Sequence, residues 1–192
     1  HRDNVGQGRV SSRRSDLIFS ASAAALFLGL FLTICAFSLA YSTLAGRGAQ
    51  LVLPWYDWPE SAAAMEREFG DRDHLCAQVD LRDPHQVADL MARVEQRFGR
   101  LDFLVNNIER GGMPVVHGGY GREVNREQWQ LEMDTTLHAK WLVFDQALPL
   151  LKRSTSAAVV TLSSIAGIIG RSGPAGLLFN DGYAAANRGV SS

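Results

Sequence analysis

The sequence predicts an α/β fold, a doubly wound parallel sheet, from three observations. Downstream of Gly46, short apolar strand segments alternate with helical segments, as a parallel sheet with crossover helices requires. Two of the strand segments, Leu101–Val105 (LDFLV) and Ala157–Leu162 (AAVVTL), read as strands buried on both faces. The chain is 192 residues long, with 46% hydrophobic and 20% charged residues, which suits one domain with a real core.

The elements follow in order. Gln50–Trp55 (QLVLPW) is a short apolar strand, and a helix runs from about Pro59 to Phe69. Leu75–Val79 is the next strand. Asp83 then caps a helix with Pro84 at its first position and Gln86 at its third, an arrangement that satisfies the free amides of a first turn. Within it Val87, Leu90, Met91, Val94 and Phe98 recur at helical spacing and should face the sheet. After Leu101–Val105 comes a long helix from about Arg126 to Leu151, then Ala157–Leu162, then a helix beginning near Tyr183. The glycine-rich loop from Glu109 to Gly121 is the expected mobile stretch.

The N-terminal region has a different composition. Residues 1–16 form a polar, arginine-rich tail with Arg2, Arg9, Arg13 and Arg14, and residues 17–45 form an apolar segment without a charged side chain. Ala23 to Tyr41 is apolar all round and predicts a long apolar helix, of the roughly 20 residues that cross a bilayer. Two alternatives stay open: a buried first βα unit with Leu17–Ser22 as its strand, or a cleaved signal peptide. The membrane reading gives a membrane-associated, single-pass chain, its tail cytoplasmic and its larger domain, residues 46–192, across the membrane. A first residue of His1 rather than methionine suggests a processed or partial chain. The net charge of -1 and the absence of a basic stripe predict no nucleic-acid partner, and Cys35 and Cys76 form no metal-binding or disulfide spacing.

Four motifs occur in an order that resembles the short-chain dehydrogenase/reductase family. They are VDLRD (Val79–Asp83), LDFLVNN (Leu101–Asn107), TLSSIAG (Thr161–Gly167) and GYAAANRG (Gly182–Gly189). The resemblance covers Gly46 to the C-terminus and implies a Rossmann-like fold that binds NAD or NADP. It places Asp80 and Leu81 beside the adenine and Asn106, Asn107 and Ile108 along the cofactor. It implies Ser164 and Tyr183 as the catalytic serine and tyrosine. The family's lysine, one helical turn after the tyrosine, falls on Asn187, and its helix asparagine, which holds a relay water, falls on Thr136.

These departures bear on chemistry. The family's tyrosine exchanges a proton with the carbonyl or alcohol oxygen, and a free phenol titrates near ~10, so a nearby cation is needed to favour phenolate. Asn187 is not a cation, and Arg188 points about 100° away around the helix. Ile108 and Glu109 replace the small residues of the family's NNAG motif. Counting back, the phosphate-binding glycines fall near Phe31, Cys35 and Phe37, so weak cofactor binding or none is expected; Ser20–Ser22 is a poorer candidate for that turn. Residues Pro54 to Tyr56, where the two nicotinamide cofactors are usually told apart, supply neither acid nor base.

The family continues for several dozen residues beyond the tyrosine helix, so the sheet is expected to be incomplete at its C-terminal end, with an open edge. Two functions follow: an NAD(P)(H)-dependent oxidoreductase of carbonyl or alcohol substrates, impaired in this chain, or a non-catalytic, membrane-anchored scaffold subunit. In the second, a protein assembly covers the open edge and the apolar helix.

Overall fold

The computed structural model describes residues 16–19, 40–56, 59–70, 73–108, 124–170 and 181–192. Among these, five strands form one parallel sheet: β1 (Asp16–Phe19), β2 (Gln50–Trp55), β3 (Leu75–Gln78), β4 (Phe103–Asn106) and β5 (Ala158–Thr161). Their order is β3-β2-β1-β4-β5. Connections run outward from β1 to one side and then, from β4, to the other. The direction reverses between β1 and β4, the place where open α/β sheets put their ligand crevice.

This arrangement corrects the reading of the N-terminal run. Leu17 pairs with Leu51 on one side and Phe103 on the other, so the head of the run is the central strand of the sheet. At its far end residues 40–46 (α1) are helical, and Tyr41 is buried beside Leu51, Leu53 and Phe69. A helix that crossed a bilayer between β1 and β2 would leave the two strands on opposite sides of the hydrocarbon, whereas they pair in one sheet. Among the described residues no helix is long and apolar enough to cross a membrane. Single-pass membrane placement is therefore withdrawn. The predicted long apolar helix is not observed either: residues 20–39, its body, lie outside the described residues.

Helices cover both faces of the sheet. On one face α3 (Pro84–Phe98) contributes Val87, Leu90, Met91 and Val94, and α5 (Ala139–Leu151) contributes Leu142, Val143, Ala147, Leu150 and Leu151, against Val52, Ala77 and Leu104. On the other, α1 and α2 (Pro59–Phe69) place Tyr41, Met65 and Phe69 over Leu51, Leu53 and Val105. Phe69 meets Tyr41 and His74 edge-on, with centroids 6.3 and 5.5 Å apart. Such geometry suits the ring quadrupole.

The start of α3 follows its sequence signal, with one difference. Asp83 accepts from the His85 amide at 2.8 Å, and Pro84 opens the helix. Gln86, however, accepts from the Asp80 amide rather than that of Asp83, whose N–H donates to the Asp80 carbonyl. Beside this cap Arg82 holds Asp80 through Nε at 2.8 Å and Nη2 at 2.6 Å, and its guanidinium lies 5.4 Å from the Tyr56 ring centre. At the far end, Gly99 takes a φ of 76° and donates to the Glu95 carbonyl, a left-handed cap that a side chain would strain.

β5 departs from the prediction of a strand buried on both faces. It is an edge strand, and all four side chains are exposed, Val160 at 54%. With β4 on one side and no described strand on the other, its apolar character finds no covering layer among the described residues. Beyond it lie a short helix, α6 (Ala166–Ile169), absent from the sequence reading, and α7 (Asp181–Ser191). The long helix before β5 is not uniform. α4 (Val124–Glu132) passes through a π-helical turn, Met133–His138, into α5, with the Ala139 amide donating to Asp134 five residues back.

α6 and α7 touch backbone to backbone. A Cβ at Gly167 would stand 2.7 Å from the Asn187 carbonyl carbon and 2.8 Å from the Arg188 nitrogen. Gly167→Ala is therefore expected to destabilise the fold by about 2 kcal/mol, read as a lower urea midpoint at unchanged slope. A midpoint equal to wild type would show that the helices separate without loss. A second expectation concerns acid. The Arg82 hydrogen bond, opposed by partial burial, holds the Asp80 carboxyl below the usual carboxylate range. Its stabilisation is present above the unfolded value near ~3.9 and is lost as pH falls through the lowered folded value. Arg82→Ala should remove that depression and move the acid-unfolding midpoint to higher pH; solvent screening keeps the effect below about 1 kcal/mol.

Candidate active site

The predicted catalytic residues converge at the C-terminal edge of β4 and β5. β4 ends in Asn106, whose carbonyl accepts from the Leu162 amide at 3.1 Å, so the ladder outlasts the strand by one residue. Ser163 and Ser164 follow at once, and the chain turns into α6. Ser164 Oγ accepts from the Ala166 amide at 3.2 Å, and its carbonyl accepts from Gly167, so Ser164 organises the turn that carries it. It is Ser163, which the sequence reading passed over, that joins the turn to α7: its hydroxyl donates to the Asn187 carbonyl at 3.0 Å and pairs with Ser191 Oγ at 2.9 Å.

On α7, Tyr183 is half-buried and Asn187, one turn later, is fully buried at 0% exposure. The Asn187 amide is spent locally: Nδ2 donates to the Tyr183 carbonyl at 3.1 Å, and Oδ1 lies 3.4 Å from Ser163 Oγ. The residue at the lysine position thus locks α7 to the serine turn instead of reaching outward.

Thr136 sits within the π-helical turn, also at 0% exposure, and its hydroxyl donates back to Glu132 Oε2 at 3.3 Å. A wider turn re-aims the side chains of a helix, and such turns gather at functional sites. Here α7 packs against it, since a Cβ on Gly189 would lie 3.0 Å from Leu137. Two further buried polar residues flank Thr136, Glu132 four positions before and Lys140 four after. Both share its helical face, and that spacing was the signal available in the sequence.

Asn106, fully buried, donates through Nδ2 to the Lys140 carbonyl at 2.7 Å, while its Oδ1 has no hydrogen-bond partner among the described residues. Asn107 is half-buried. Ile108 is buried within the same core cluster as Leu104 and Ala139, and Leu81 belongs to that cluster too. Asp80, at the end of β3, is occupied by Arg82 and lies on the side of β1 opposite the serine turn. The structure therefore brings Ser164, Tyr183, Asn187, Thr136 and Asn106 to one region and leaves Asp80 and Leu81 at another part of the sheet's C-terminal edge. Phe31, Cys35, Phe37 and Ser20–Ser22, the candidates for the phosphate turn, lie outside the described residues, as does the loop from Glu109 to Gly121.

Comparison with known proteins agrees with this architecture. A 3-oxoacyl-[acyl-carrier-protein] reductase of Staphylococcus aureus is 27% identical over 134 residues, covering 69% of this chain and 52% of the reductase. The chain thus spans about half the length of that relative. A crystal structure of a short-chain dehydrogenase/reductase from Burkholderia xenovorans superposes with a TM-score of 0.67 at 23% identity, over 91% of this chain and 61% of the other. The NADPH-dependent 3-quinuclidinone reductase of Rhodotorula rubra gives 0.67 at 19% identity, over 98% and 67%. At these identities the solved structures establish the fold. The family described as enoyl-(acyl carrier protein) reductase matches residues 36–179, and on that match the chain belongs to the short-chain dehydrogenase/reductase family.

Proposed function

We propose that this chain is an NAD(P)(H)-dependent oxidoreductase of carbonyl or alcohol substrates in which the proton-transfer step is weakened. The observation that carries the reading is the union of α7 with the serine turn through Ser163 and Asn187, at the sheet edge where open α/β folds bind their ligands. Tyr183 is the proton donor or acceptor for the substrate oxygen, and Ser164 holds that oxygen. Thr136 and Asn187 occupy the positions of the family's relay asparagine and lysine. Because Asn187 carries no charge and is fully buried in the helix contact, it cannot favour phenolate at Tyr183.

The nicotinamide cofactor fits the described residues. Ile108, larger than the family's residue at that position, turns its side chain into the core, so its bulk is accommodated away from the sheet edge. Asn106, Asn107 and Ile108 would border the cofactor, with Asp80 and Leu81 on the adenine side. When bound, the cofactor supplies or accepts hydride; the chain's own groups orient the substrate and move the proton. The relatives that are reductases support a carbonyl substrate class. The exposed edge of β5 supports a protein partner or further strands covering Val159 and Val160.

Two measurements test the reading. Calorimetric titration with NADH and NADPH is expected to give a Kd at or above about 1 mM, since the sequence supplies no glycine turn for the pyrophosphate. Micromolar binding would overturn the weakened-cofactor part of the proposal. In carbonyl-reduction assays, Tyr183→Phe should abolish turnover. Asn187→Lys should raise kcat while lowering Tm, because a cation favours phenolate but enters a fully buried position. Turnover that survives Tyr183→Phe would assign the proton transfer to another group.

A further inference from the structure

Lys140 is 4% exposed, at the start of α5, and belongs to no role assigned so far. Burying an ammonium is unfavourable unless strong partners meet it. Its Nζ donates to the Leu162 carbonyl at 2.7 Å, the short distance typical of a charge-assisted bond. Its own carbonyl accepts from Asn106 Nδ2, also at 2.7 Å. One residue thus grips the ends of both β4 and β5.

The location gives this grip its consequence. β5 is an edge strand with all four side chains exposed, so packing does little to fix where it ends. Leu162 is instead held by polar bonds from two sides, its N–H by the Asn106 carbonyl and its C=O by the Lys140 ammonium. The next two residues are Ser163, which reaches Asn187 on α7, and Ser164, which organises the turn into α6. We propose that Lys140 is a positioning residue of the active site, its ammonium fixing the end of β5 so that Ser163 reaches α7 and Ser164 is held in its turn. This rests on the reading of that region as the active site.

The test compares the wild-type chain with Lys140→Met, which keeps the side-chain volume and removes charge and donor, and with Lys140→Arg, which keeps both. Hydrogen exchange is followed at the amides of residues 163–167 and, as control, at Leu51–Leu53 in β2. Lys140→Met should accelerate exchange in the turn at least about tenfold and leave β2 unchanged, and Lys140→Arg should restore most of the protection. In assays of carbonyl reduction, Lys140→Met should lower kcat with little change in KM, with Lys140→Arg intermediate. Unchanged exchange in the turn, acceleration of equal size in β2, or failure of Lys140→Met to fold would each overturn the proposal, the last two by making Lys140 a general core residue. An inactive wild-type chain would sink the proposed function alone, because the exchange measurement requires no turnover.

Discussion

The structure depends first on the parallel pairing of Asp16–Phe19 with both β2 and β4. That strand has neighbours on either side, so the chain enters the sheet at its centre and must build outward twice. The reversal of direction falls between β1 and β4, the place where open α/β sheets bind ligands, with the serine turn and α7 on one flank and the Asp80 loop on the other. It also rules on the apolar run. Strands that pair in one sheet cannot lie on opposite sides of a bilayer, so the head of the uncharged run, Leu17–Phe19, belongs to the sheet.

Around the candidate site several polar groups are buried, and bonds of Asn106, Lys140 and Asn187 join one element to another. Glu132, Thr136 and Lys140 share one helical face, and Asn106 and Asn187 lie close by. Apolar packing is non-directional, whereas hydrogen bonds fix register and orientation. An exposed edge strand and a four-residue helix cannot be placed by packing alone. The Asn106 carbonyl accepting from the Leu162 amide, the Lys140 ammonium donating to the Leu162 carbonyl, and the bond from Ser163 to α7 supply the missing constraint. The backbone contact at Gly167 then sets how closely α6 and α7 approach.

The departures from the family pattern make sense as a set. At the position of the family's lysine this chain has a buried amide, bonded to the Tyr183 carbonyl and lying against Ser163. Where the family has a relay asparagine, Thr136 bonds back to Glu132 within a π-helical turn. A buried cation nearby, Lys140, donates to the Leu162 carbonyl at the end of β5.

Much of this was legible in the residues themselves. The alternation of strand and helix signals, the Asp83–Pro84 cap and the spacing of Val87, Leu90, Met91 and Val94 follow from local chemistry, and the structure keeps all of them. The motifs around Ser164 and Tyr183 likewise lie on the serine turn and on α7, which the structure packs together. What the sequence could not decide depends on neighbours distant in the chain. The head of an apolar run reads alike for lipid and for a sheet, and only the pairing of Leu17 with Leu51 and Phe103 places that head in the sheet. A run such as AVVT reads as buried, and only its place at the edge of the sheet exposes it. The direction of a polar side chain is the last of these. Whether Asn187 faces a ligand or its own helix, and whether Lys140 is solvated or grips a strand end, is fixed by what packs against it, because a helix specifies where a side chain begins and tertiary contacts specify where it goes.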